Sequence, residues 1–283
     1  MGLIKRKPRA WELPPLPGES ESALNERRNK QYFHEQVQEN FEWLARIGRP
    51  IVFSGAHVLD LGCGHGALSI AIAQNGAKKV VGLDLDADRI DFAARNLNER
   101  FPELVEKVLF LDQDIAARPE RGRYDLVVSK DSFEHIEDLE SVTESISVLL
   151  KDGGKLIVGF SPLYYSPFGD HGRLLLPLPW LHALFPTRLL GRWASFRMRR
   201  KITNISDLGL NRLTPKQFRK LFENPKWRIV SLEYNRGSKL LMPIMRMLRR
   251  LPCLEDYFTV NIYAIIQLNF TAIQDDTQTG ATG

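Results

Sequence analysis

The chain contains 283 residues, of which 43% are hydrophobic and 26% are charged, and its formal net charge is +5. This length and composition are ordinary for a globular protein and suit one large α/β domain with a small insertion or cap. No apolar run reaches the roughly 18–20 residues that a bilayer-spanning helix needs.

The N-terminus and the cysteines indicate the compartment. The basic residues at 5–9 are followed by Pro14, Pro15 and Pro17 rather than by an apolar segment, so we expect no signal peptide. The sequence has only two cysteines, Cys63 and Cys253. Because such cysteine usage is typical of a reducing compartment, the predicted localisation is cytoplasmic.

Strands and helices alternate from residue 57 onward. Short apolar runs predict seven strands, at 57–61, 80–84, 108–111, 125–129, 155–160, 229–234 and 258–268. Helical spacing predicts helices at 67–74, 87–99, 139–150 and 215–222. Connections this short imply right-handed crossovers. The predicted fold is therefore α/β, a three-layer doubly wound seven-stranded sheet, mostly parallel, with an antiparallel last strand and an insertion or lid after strand five.

The segments around this pattern complete the predicted organisation. Phe33, Val37, Phe41 and Leu44 recur at helical spacing and predict an amphipathic helix before the core. The predicted segments are a flexible N-terminal arm (1–22), a helical lead-in (23–55), the α/β core (56–160), a substrate-binding insertion or lid (161–212), the C-terminal part of the core sheet (213–272) and a disordered tail (273–283).

The turn that follows the first strand indicates a ligand site. Gly62, Gly64 and Gly66 have no β-carbon, so the backbone can take left-handed angles and a ligand can lie against it. The turn opens a helix, whose N–H groups can receive a polar or anionic ligand group. Asp84 ends the next strand, where an acidic side chain can bind a ribose diol.

The residues of this turn favour one class of ligand. Dinucleotide-binding turns have the pattern G-x-G-x-x-G and hold a pyrophosphate, whereas this turn is G-x-G-x-G and follows Asp60. A carboxylate there repels a pyrophosphate and suits a ligand that carries an ammonium and a sulfonium group. S-adenosylmethionine is such a ligand.

The sequence Asp60-Leu61-Gly62-Cys63-Gly64-His65-Gly66 resembles motif I of the class I S-adenosylmethionine-dependent methyltransferases, and the resemblance covers roughly residues 57–160. It implies a Rossmann-like core in which Asp60 and the turn backbone, including Cys63, hold the methionine portion. It also implies that Asp84 binds the ribose hydroxyls and that Leu85 packs against adenine. Asp114 would accept from the adenine amino group, with Asp112 as the alternative, and the N–H of Ile115 would meet a ring nitrogen.

The segment after the fourth strand lies at the carboxyl edge, where α/β sheets bind ligands. Its sequence Glu134-His135-Ile136 resembles that of small-molecule methyltransferases, in which this segment borders cofactor and acceptor. We therefore expect Lys130 to contact the cofactor, and Phe133 and Glu134 to contact the acceptor. His135 is a candidate general base, because imidazole titrates near neutrality.

Two other interpretations of His135 remain open. Asp131, Glu134 and His135 resemble an acid-x-x-Glu-His cluster that holds a divalent metal in some methyltransferases, but the sequence offers no identifiable further ligand, so no metal is expected. The histidine could also shape the pocket without chemistry. Methyl transfer needs little beyond alignment and desolvation, because the sulfonium is already an excellent leaving group.

Residues 161–212 are rich in proline, aromatic residues and arginine. Irregular loops on a rigid sheet tend to carry specificity, so we expect Tyr164 and Tyr165 to contact the acceptor and His171 to be the second candidate base. A self-packed surface loop is the alternative. We expect the apolar and basic stretch 174–201 to fold onto the domain as a cap, with peripheral contact with an anionic membrane face or a dimer face as alternatives.

The predicted function is methyl transfer to oxygen, nitrogen or carbon of a small-molecule, glycan or lipid-linked acceptor by in-line displacement. The basic clusters at 188–201 and 246–250 leave an RNA or protein methyltransferase as an alternative, and a non-catalytic cofactor-binding scaffold is another. Nucleic acid is not favoured, because residues 129–132 lack the Asn-Pro-Pro-Tyr-type sequence of many nucleobase methyltransferases. The oligomeric state is not predicted.

Overall fold

A computed structural model describes residues 9–118, 121–174, 176, 178–199, 201–203, 206–238 and 240–269. The predicted disordered tail at 273–283 and the first part of the predicted arm, 1–8, lie outside the described residues. The strands are β1 (His57–Leu61), β2 (Lys79–Asp84), β3 (Val108–Asp112), β4 (Tyr124–Lys130), β5 (Leu150–Phe160), β6 (Trp227–Tyr234) and β7 (Ile262–Leu268). The helices are α1 (Glu21–Ile47), α2 (Ala67–Gln74), α3 (Ala87–Arg100), α4 (Leu139–Leu149), α5 (Leu181–Leu184), α6 (Thr187–Met198), α7 (Pro215–Lys220), α8 (Met242–Leu248) and α9 (Glu255–Phe258).

The strands form a seven-stranded sheet in the order β3-β2-β1-β4-β5-β7-β6. The pairs β1–β2, β2–β3 and β4–β5 are parallel, whereas β7 is antiparallel to both β5 and β6. The predicted mostly parallel sheet with an antiparallel last strand is therefore confirmed. Both β1 and α2 have the bounds that the sequence predicts.

Two strands begin four or five residues from their predicted start. β5 begins at Leu150 rather than at 155, because the chain pairs with β4 on both sides of an irregularity between Tyr124 and Leu126. β7 begins at Ile262 rather than at 258, because residues 255–258 form α9. The hydroxyl of Thr259 donates to the carbonyl oxygen of Glu255 (2.6 Å), at the end of this helix.

The chain divides into two compact units, and the first comprises Met1–Ala45 and Ile51–Asp114. It contains β1, β2, β3, α2, α3 and nearly all of α1. On α1 the buried side chains include Phe33, Asn40 and Trp43, whereas Phe41 is 72% exposed. The predicted apolar face of this helix was therefore wrong at Phe41, because the inward face runs through residues 33, 40 and 43.

The described part of the predicted flexible arm is bonded to α1. The guanidinium of Arg27 donates to the carboxylate of Glu19 and to the carbonyl oxygen of Pro14, and that of Arg28 donates to the carbonyl oxygen of Leu13. The hydrogen bond from Arg27 lowers the pKa of Glu19 to about 2. These hydrogen bonds join residues 13, 14 and 19 to the helix, and the flexibility of the arm stays a prediction.

The second unit comprises Arg46–Pro50 and Ile115–Gly283. Within it the predicted insertion has a small core of its own, made of Tyr164, Leu174, Leu190, Ala194, Ile202, Leu208 and Leu210. The boundaries at 160 and 212 stay a prediction. Among the described helices of the chain, none is long and apolar enough to cross a membrane.

An aromatic cluster on α7 gives a test of the packing. Phe218 is fully buried, and its ring lies 5.7 Å from Phe160 and 5.3 Å from Phe222 between centroids. We expect Phe218→Ala to lower the free energy of unfolding by about 3–5 kcal/mol, because a large cavity remains. Urea denaturation measures this, with the exposed Phe41→Ala as control, expected within about 0.5 kcal/mol of the parent. Equal losses in the two variants would contradict this packing.

Candidate functional site

The turn between β1 and α2 has left-handed backbone angles at its three glycines. The φ angle is +77° at Gly62, +51° at Gly64 and +80° at Gly66, a region that glycine adopts without steric cost. The N–H groups of Gly62 and Cys63 both donate to the carbonyl oxygen of Leu83 on β2, at 2.8 and 2.9 Å. These bonds fix the start of the turn against the end of β2.

The two later glycines have different surroundings. A β-carbon at Gly66 would lie 2.5 Å from Cζ of Phe110 and 3.0 Å from Cβ of Ala93, so this position is closed by packing. A β-carbon at Gly64 would meet only Oδ2 of Asp84, at 3.9 Å. The backbone at Gly64 is thus open to a ligand, whereas Gly66 packs the turn onto the elements beneath it.

Cys63 turns its side chain away from this open side. Its Sγ would lie 2.9 Å from a β-carbon at Gly82 on β2. Burial raises the pKa of the Cys63 thiol well above its usual value, and the nearby carboxylates of Asp60 and Asp84 add to the effect. The thiol stays protonated, and the predicted cofactor contact of Cys63 stays a prediction.

Asp84 is held in one orientation by two backbone N–H groups. Its Oδ2 accepts from Gly64 at 2.8 Å and its Oδ1 accepts from Asp86 at 3.0 Å. Each carboxylate oxygen has a second lone pair, so a vicinal diol can donate to both oxygens without displacing these bonds. The geometry suits the predicted ribose contact.

A solvent-facing depression of about 540 Å³ is lined by residues 84–89. Leu85 belongs to this lining and is 72% exposed, although it is a large apolar residue. An exposed leucine next to a diol-binding carboxylate provides the flat apolar contact that a heteroaromatic base needs. The residues present therefore fit an adenosine-like ligand.

Asp60 lies at the end of β1 and is buried. Its Oδ2 accepts a hydrogen bond of 2.6 Å from the hydroxyl of Ser69 on α2. A buried carboxylate attracts a cation more strongly than an exposed one, because the local dielectric is lower. This placement suits the predicted contact with a ligand ammonium group.

His65 connects the turn to α1, which sequence reasoning missed. Its Nε2 lies 3.1 Å from Oδ1 of Asn29, and its ring packs against Tyr32 and Phe92 at centroid distances of 4.8 and 5.2 Å. Burial lowers the pKa of His65 to about 4, so the ring is neutral near pH 7. Spacing on α1 could have indicated this contact, since Asn29 and Tyr32 lie on one helix face.

The predicted adenine-binding pair lies after β3. Asp114 is exposed, and Ile115 is buried at the start of a short 3-10 turn. The alternative residue Asp112 is the register partner of Asp84 on the neighbouring strand. Both aspartates are exposed, so the choice between them stays a prediction.

The loop after β4 contains a buried carboxyl group, that of Glu134. Among the described residues its Oε2 has no hydrogen-bond partner, although the group accepts backbone hydrogen bonds from its own N–H and from Ser161. Burial, and then the nearby Asp131, raise the pKa of Glu134 well above its usual value. The raised pKa favours the protonated form, which can donate a hydrogen bond.

Lys130 and Asp131 lie at the end of β4. The Nζ of Lys130 is 3.9 Å from Oδ2 of Asp131, and the lysine side chain is nearly fully buried. Asp131 has a positive φ of 50°, uncommon outside glycine. The predicted cofactor contact of Lys130 stays untested by this geometry.

The two candidate bases lie next to each other. The ring centroids of His135 and His171 are 5.2 Å apart. The Nδ1 of His135 lies 2.6 Å from the carbonyl oxygen of Gly209, and the Nε2 of His171 lies 2.9 Å from that of Pro162. A carbonyl only accepts, so in the neutral rings these nitrogens carry the protons and the lone pairs lie on Nε2 of His135 and Nδ1 of His171.

Burial also sets the charge of His171. It lowers the pKa of this ring to about 4, and the adjacent His135 contributes in the same direction. The ring is neutral near pH 7 and is a weak base. No local sequence pattern indicates that these two histidines, 36 positions apart in the chain, lie next to each other.

The three predicted aromatic substrate contacts lie in packed clusters. Phe133 is fully buried and stacks on Phe160, so in this conformation it offers no surface to a ligand. Tyr164 is nearly fully buried in the core of the insertion, and burial raises the pKa of its phenol. Tyr165 packs against Tyr164 at 5.1 Å. Their contacts with an acceptor stay a prediction.

Residues that sequence reasoning missed join the insertion to the loop after β4. The side-chain amide of Asn211 donates to the carbonyl oxygens of Phe133 and Ile136, at 2.6 and 2.8 Å. The guanidinium of Arg212 lies 5.2 Å from the ring of Tyr164, and Nε2 of His182 bonds the carbonyl oxygen of Tyr164 at 2.5 Å. The two bonds of Asn211 hold the loop that carries His135, whereas the contacts of Arg212 and His182 lie within the insertion.

The described residues contain no group of three or more His, Cys, Asp or Glu side chains arranged to hold a metal ion. The side chain of His135 is bonded to Gly209 through Nδ1.

Part of the chain is similar to known methyltransferases. Residues 53–161 match the family described as "Methyltransferase domain". A stretch of 113 residues is 34% identical to the ubiquinone biosynthesis O-methyltransferase of Coxiella burnetii (strain RSA 493 / Nine Mile phase I), covering 40% of this chain and 47% of the relative. The chain thus spans about half the length of the curated relatives it matches.

Two solved structures share the fold. An S-adenosylmethionine-dependent methyltransferase from Mesorhizobium loti aligns with a TM-score of 0.53 at 14% identity, covering 82% of this chain and 99% of that one. Geranyl diphosphate C-methyltransferase from Streptomyces coelicolor A3(2) also aligns with a TM-score of 0.53 at 14% identity, covering 89% and 86%. Residues 53–161 are thus similar to a methyltransferase domain, and the described fold is shared with S-adenosylmethionine-dependent methyltransferases of known structure.

The contrast between the two glycines of the turn can be tested. We expect Gly66→Ala to lower the free energy of unfolding by about 3 kcal/mol or more, because the methyl group overlaps Phe110 and the left-handed backbone adds strain. Gly64→Ala should cost only the backbone strain, about 1–2 kcal/mol. Urea denaturation of both variants measures the difference, and equal losses would show that Phe110 does not close the turn.

Proposed function

We propose that this chain transfers the methyl group of S-adenosylmethionine to a hydroxyl oxygen of a small-molecule acceptor. The observation that carries the proposal is Asp84, fixed by two backbone N–H groups beside the open backbone of Gly64 and the exposed Leu85. The oxygen acceptor is supported by the O-methyltransferases among the relatives, which match less than half of this chain.

The turn residues would hold the cofactor by complementary charge and shape. Asp84 would accept from the ribose hydroxyls, and Leu85 would pack against the adenine ring. The buried carboxylate of Asp60 would attract the ammonium group, since opposite charges interact strongly away from water. When bound, S-adenosylmethionine supplies an electrophilic methyl group on a sulfonium, so the protein needs to position the acceptor and receive one proton.

His135 is the residue we propose to receive that proton. Its lone pair lies on Nε2, because Nδ1 donates to the carbonyl oxygen of Gly209. This bond also orients the ring, as a second hydrogen bond commonly does for a catalytic histidine. The protonated Glu134 would donate a hydrogen bond to the acceptor, and no carboxylate charge would repel its oxygen.

The cofactor assignment is tested by calorimetric titration with S-adenosylmethionine and S-adenosylhomocysteine. We expect Asp84→Ala to weaken binding roughly 10- to 100-fold, because hydrogen bonds to a charged carboxylate are lost. The control is Asp91→Ala, which removes an exposed carboxylate from α3 outside the depression and should leave affinity unchanged. Undiminished binding by Asp84→Ala would overturn the assignment.

The acceptor is tested by transfer of a labelled methyl group into a native cell extract, followed by identification of the labelled molecule and atom. Once an acceptor is known, His135→Ala should lower kcat about 10²- to 10⁴-fold with little change in KM, as expected for loss of a general base. His34→Ala, an exposed histidine on α1, is the control. An unchanged kcat would remove the base assignment and leave the cofactor assignment standing.

The same labelling experiment separates the alternative functions. A label that stays with RNA or protein would replace the small-molecule acceptor with a macromolecular one. Cofactor binding without any transfer would favour a non-catalytic scaffold.

A further inference from the structure

Helix α6 presents apolar side chains on two opposite faces. Leu190 and Ala194 point into the core of the insertion and are buried. Leu189, Trp193 and Phe196 follow the outer face at helical spacing and are exposed, Phe196 by 79%. The Nε1 of Trp193 donates to the carbonyl oxygen of Leu174 in this core at 2.8 Å, whereas Leu189 and Phe196 are exposed beside it.

Helix α8 repeats this arrangement. Met242 and Met245 are buried, whereas Ile244 and Met247 lie on the other side and are exposed. Leu240, just before the helix, is 89% exposed. A contiguous exposed apolar surface of this kind usually marks an interaction site.

Contacts link the two helices within the second unit. Trp180, which precedes α5, donates from Nε1 to the carbonyl oxygen of Tyr257 on α9 at 2.9 Å, and its ring lies 5.3 Å from Phe258. Helix α9 in turn packs against α8. The segment before α5 and helix α8 thus both contact α9.

The charge of both segments is of one sign. The sequence has no acidic residue between Asp170 and Asp207, and none between Glu233 and Glu255. The exposed arginines among the apolar side chains are Arg188, Arg192, Arg199, Arg246 and Arg250. Arginine can extend its guanidinium to lipid phosphates while its methylene groups cover apolar surface.

We propose that α5, α6 and α8 form a docking surface for an anionic lipid bilayer, into which the exposed side chains insert while the arginines bind lipid phosphates. The combination of apolar anchors, a tryptophan and acid-free basic flanks is what interfacial helices use. A nucleic acid matches this surface less well, because the apolar stripe has no role in binding its phosphate groups. The proposal does not depend on the methyl transfer.

Co-sedimentation with vesicles tests the docking. The full chain should bind vesicles of phosphatidylcholine and phosphatidylglycerol and bind phosphatidylcholine alone much more weakly. Each arginine near an anionic surface contributes about a fivefold factor, so Arg188→Gln with Arg192→Gln should lower the partition coefficient roughly 25-fold. The control pair Lys78→Gln with Lys107→Gln removes the same charge from the first unit and should have little effect. Equal binding to both vesicle types would overturn the proposal.

The apolar anchors are tested separately. Leu189→Ser with Phe196→Ser on α6, and Ile244→Ser with Met247→Ser on α8, should each lower the partition coefficient about tenfold or more. The matched control is Phe41→Ser with Val52→Ser, two exposed apolar residues of the first unit. An unchanged partition coefficient for either test pair would show that its helix does not belong to the docking surface.

Measurements on the same variants would reveal two other possible ligands of the docking surface, a second copy of the chain and RNA. A doubled mass by light scattering that returns to the monomer in the α6 variant would assign the surface to a second copy and overturn bilayer docking. Tighter binding to single-stranded RNA than to the vesicles, unaffected by the serine variants, would do the same in favour of nucleic acid. Calorimetry with S-adenosylhomocysteine on each variant should show unchanged affinity, so failure of docking is distinguishable from failure of the proposed function.

Discussion

The packing beneath Gly66 is the constraint on which the proposed cofactor site depends. Phe110 and Ala93 leave no room for a β-carbon there, so the turn lies directly on the strands and helix below it. Two residues earlier, the backbone of Gly64 is open, and its N–H donates to Oδ2 of Asp84. One close approach thus sets both the open backbone and the orientation of the carboxylate that the ligand would meet.

Local sequence patterns predicted the elements around this turn well. Strand β1 and helix α2 have the predicted bounds, because a short apolar run and a three-glycine turn are decided within about ten residues. Helix α1 was harder, since Phe33 and Phe41 are equally apolar and only the tertiary packing buries the first and exposes the second. The contact of His135 with His171, and the bonds of Asn211 to the loop, join distant residues that no local pattern connects.

Burial neutralises several titratable groups in the two units. Cys63 keeps its proton, His65 and His171 remain uncharged near pH 7, and burial favours the protonated form of Glu134. Transferring a charge out of water is costly, so burial favours the neutral form of each of these groups. Cys63 and His65 therefore add no charge to the turn itself.

The insertion is apolar both where it packs and where it faces solvent. Composition alone therefore cannot separate its core from an interaction surface. The buried positions of α6 resolve this, because Leu190 and Ala194 complete the inner core without help from Leu189 or Phe196. Exposing such apolar residues to water costs free energy, and inserting them into an anionic bilayer would remove this cost while the arginines bind lipid phosphates. An acceptor that partitions into the bilayer would then be concentrated at the insertion, which contains His171 and is hydrogen-bonded through Asn211 to the loop that carries His135.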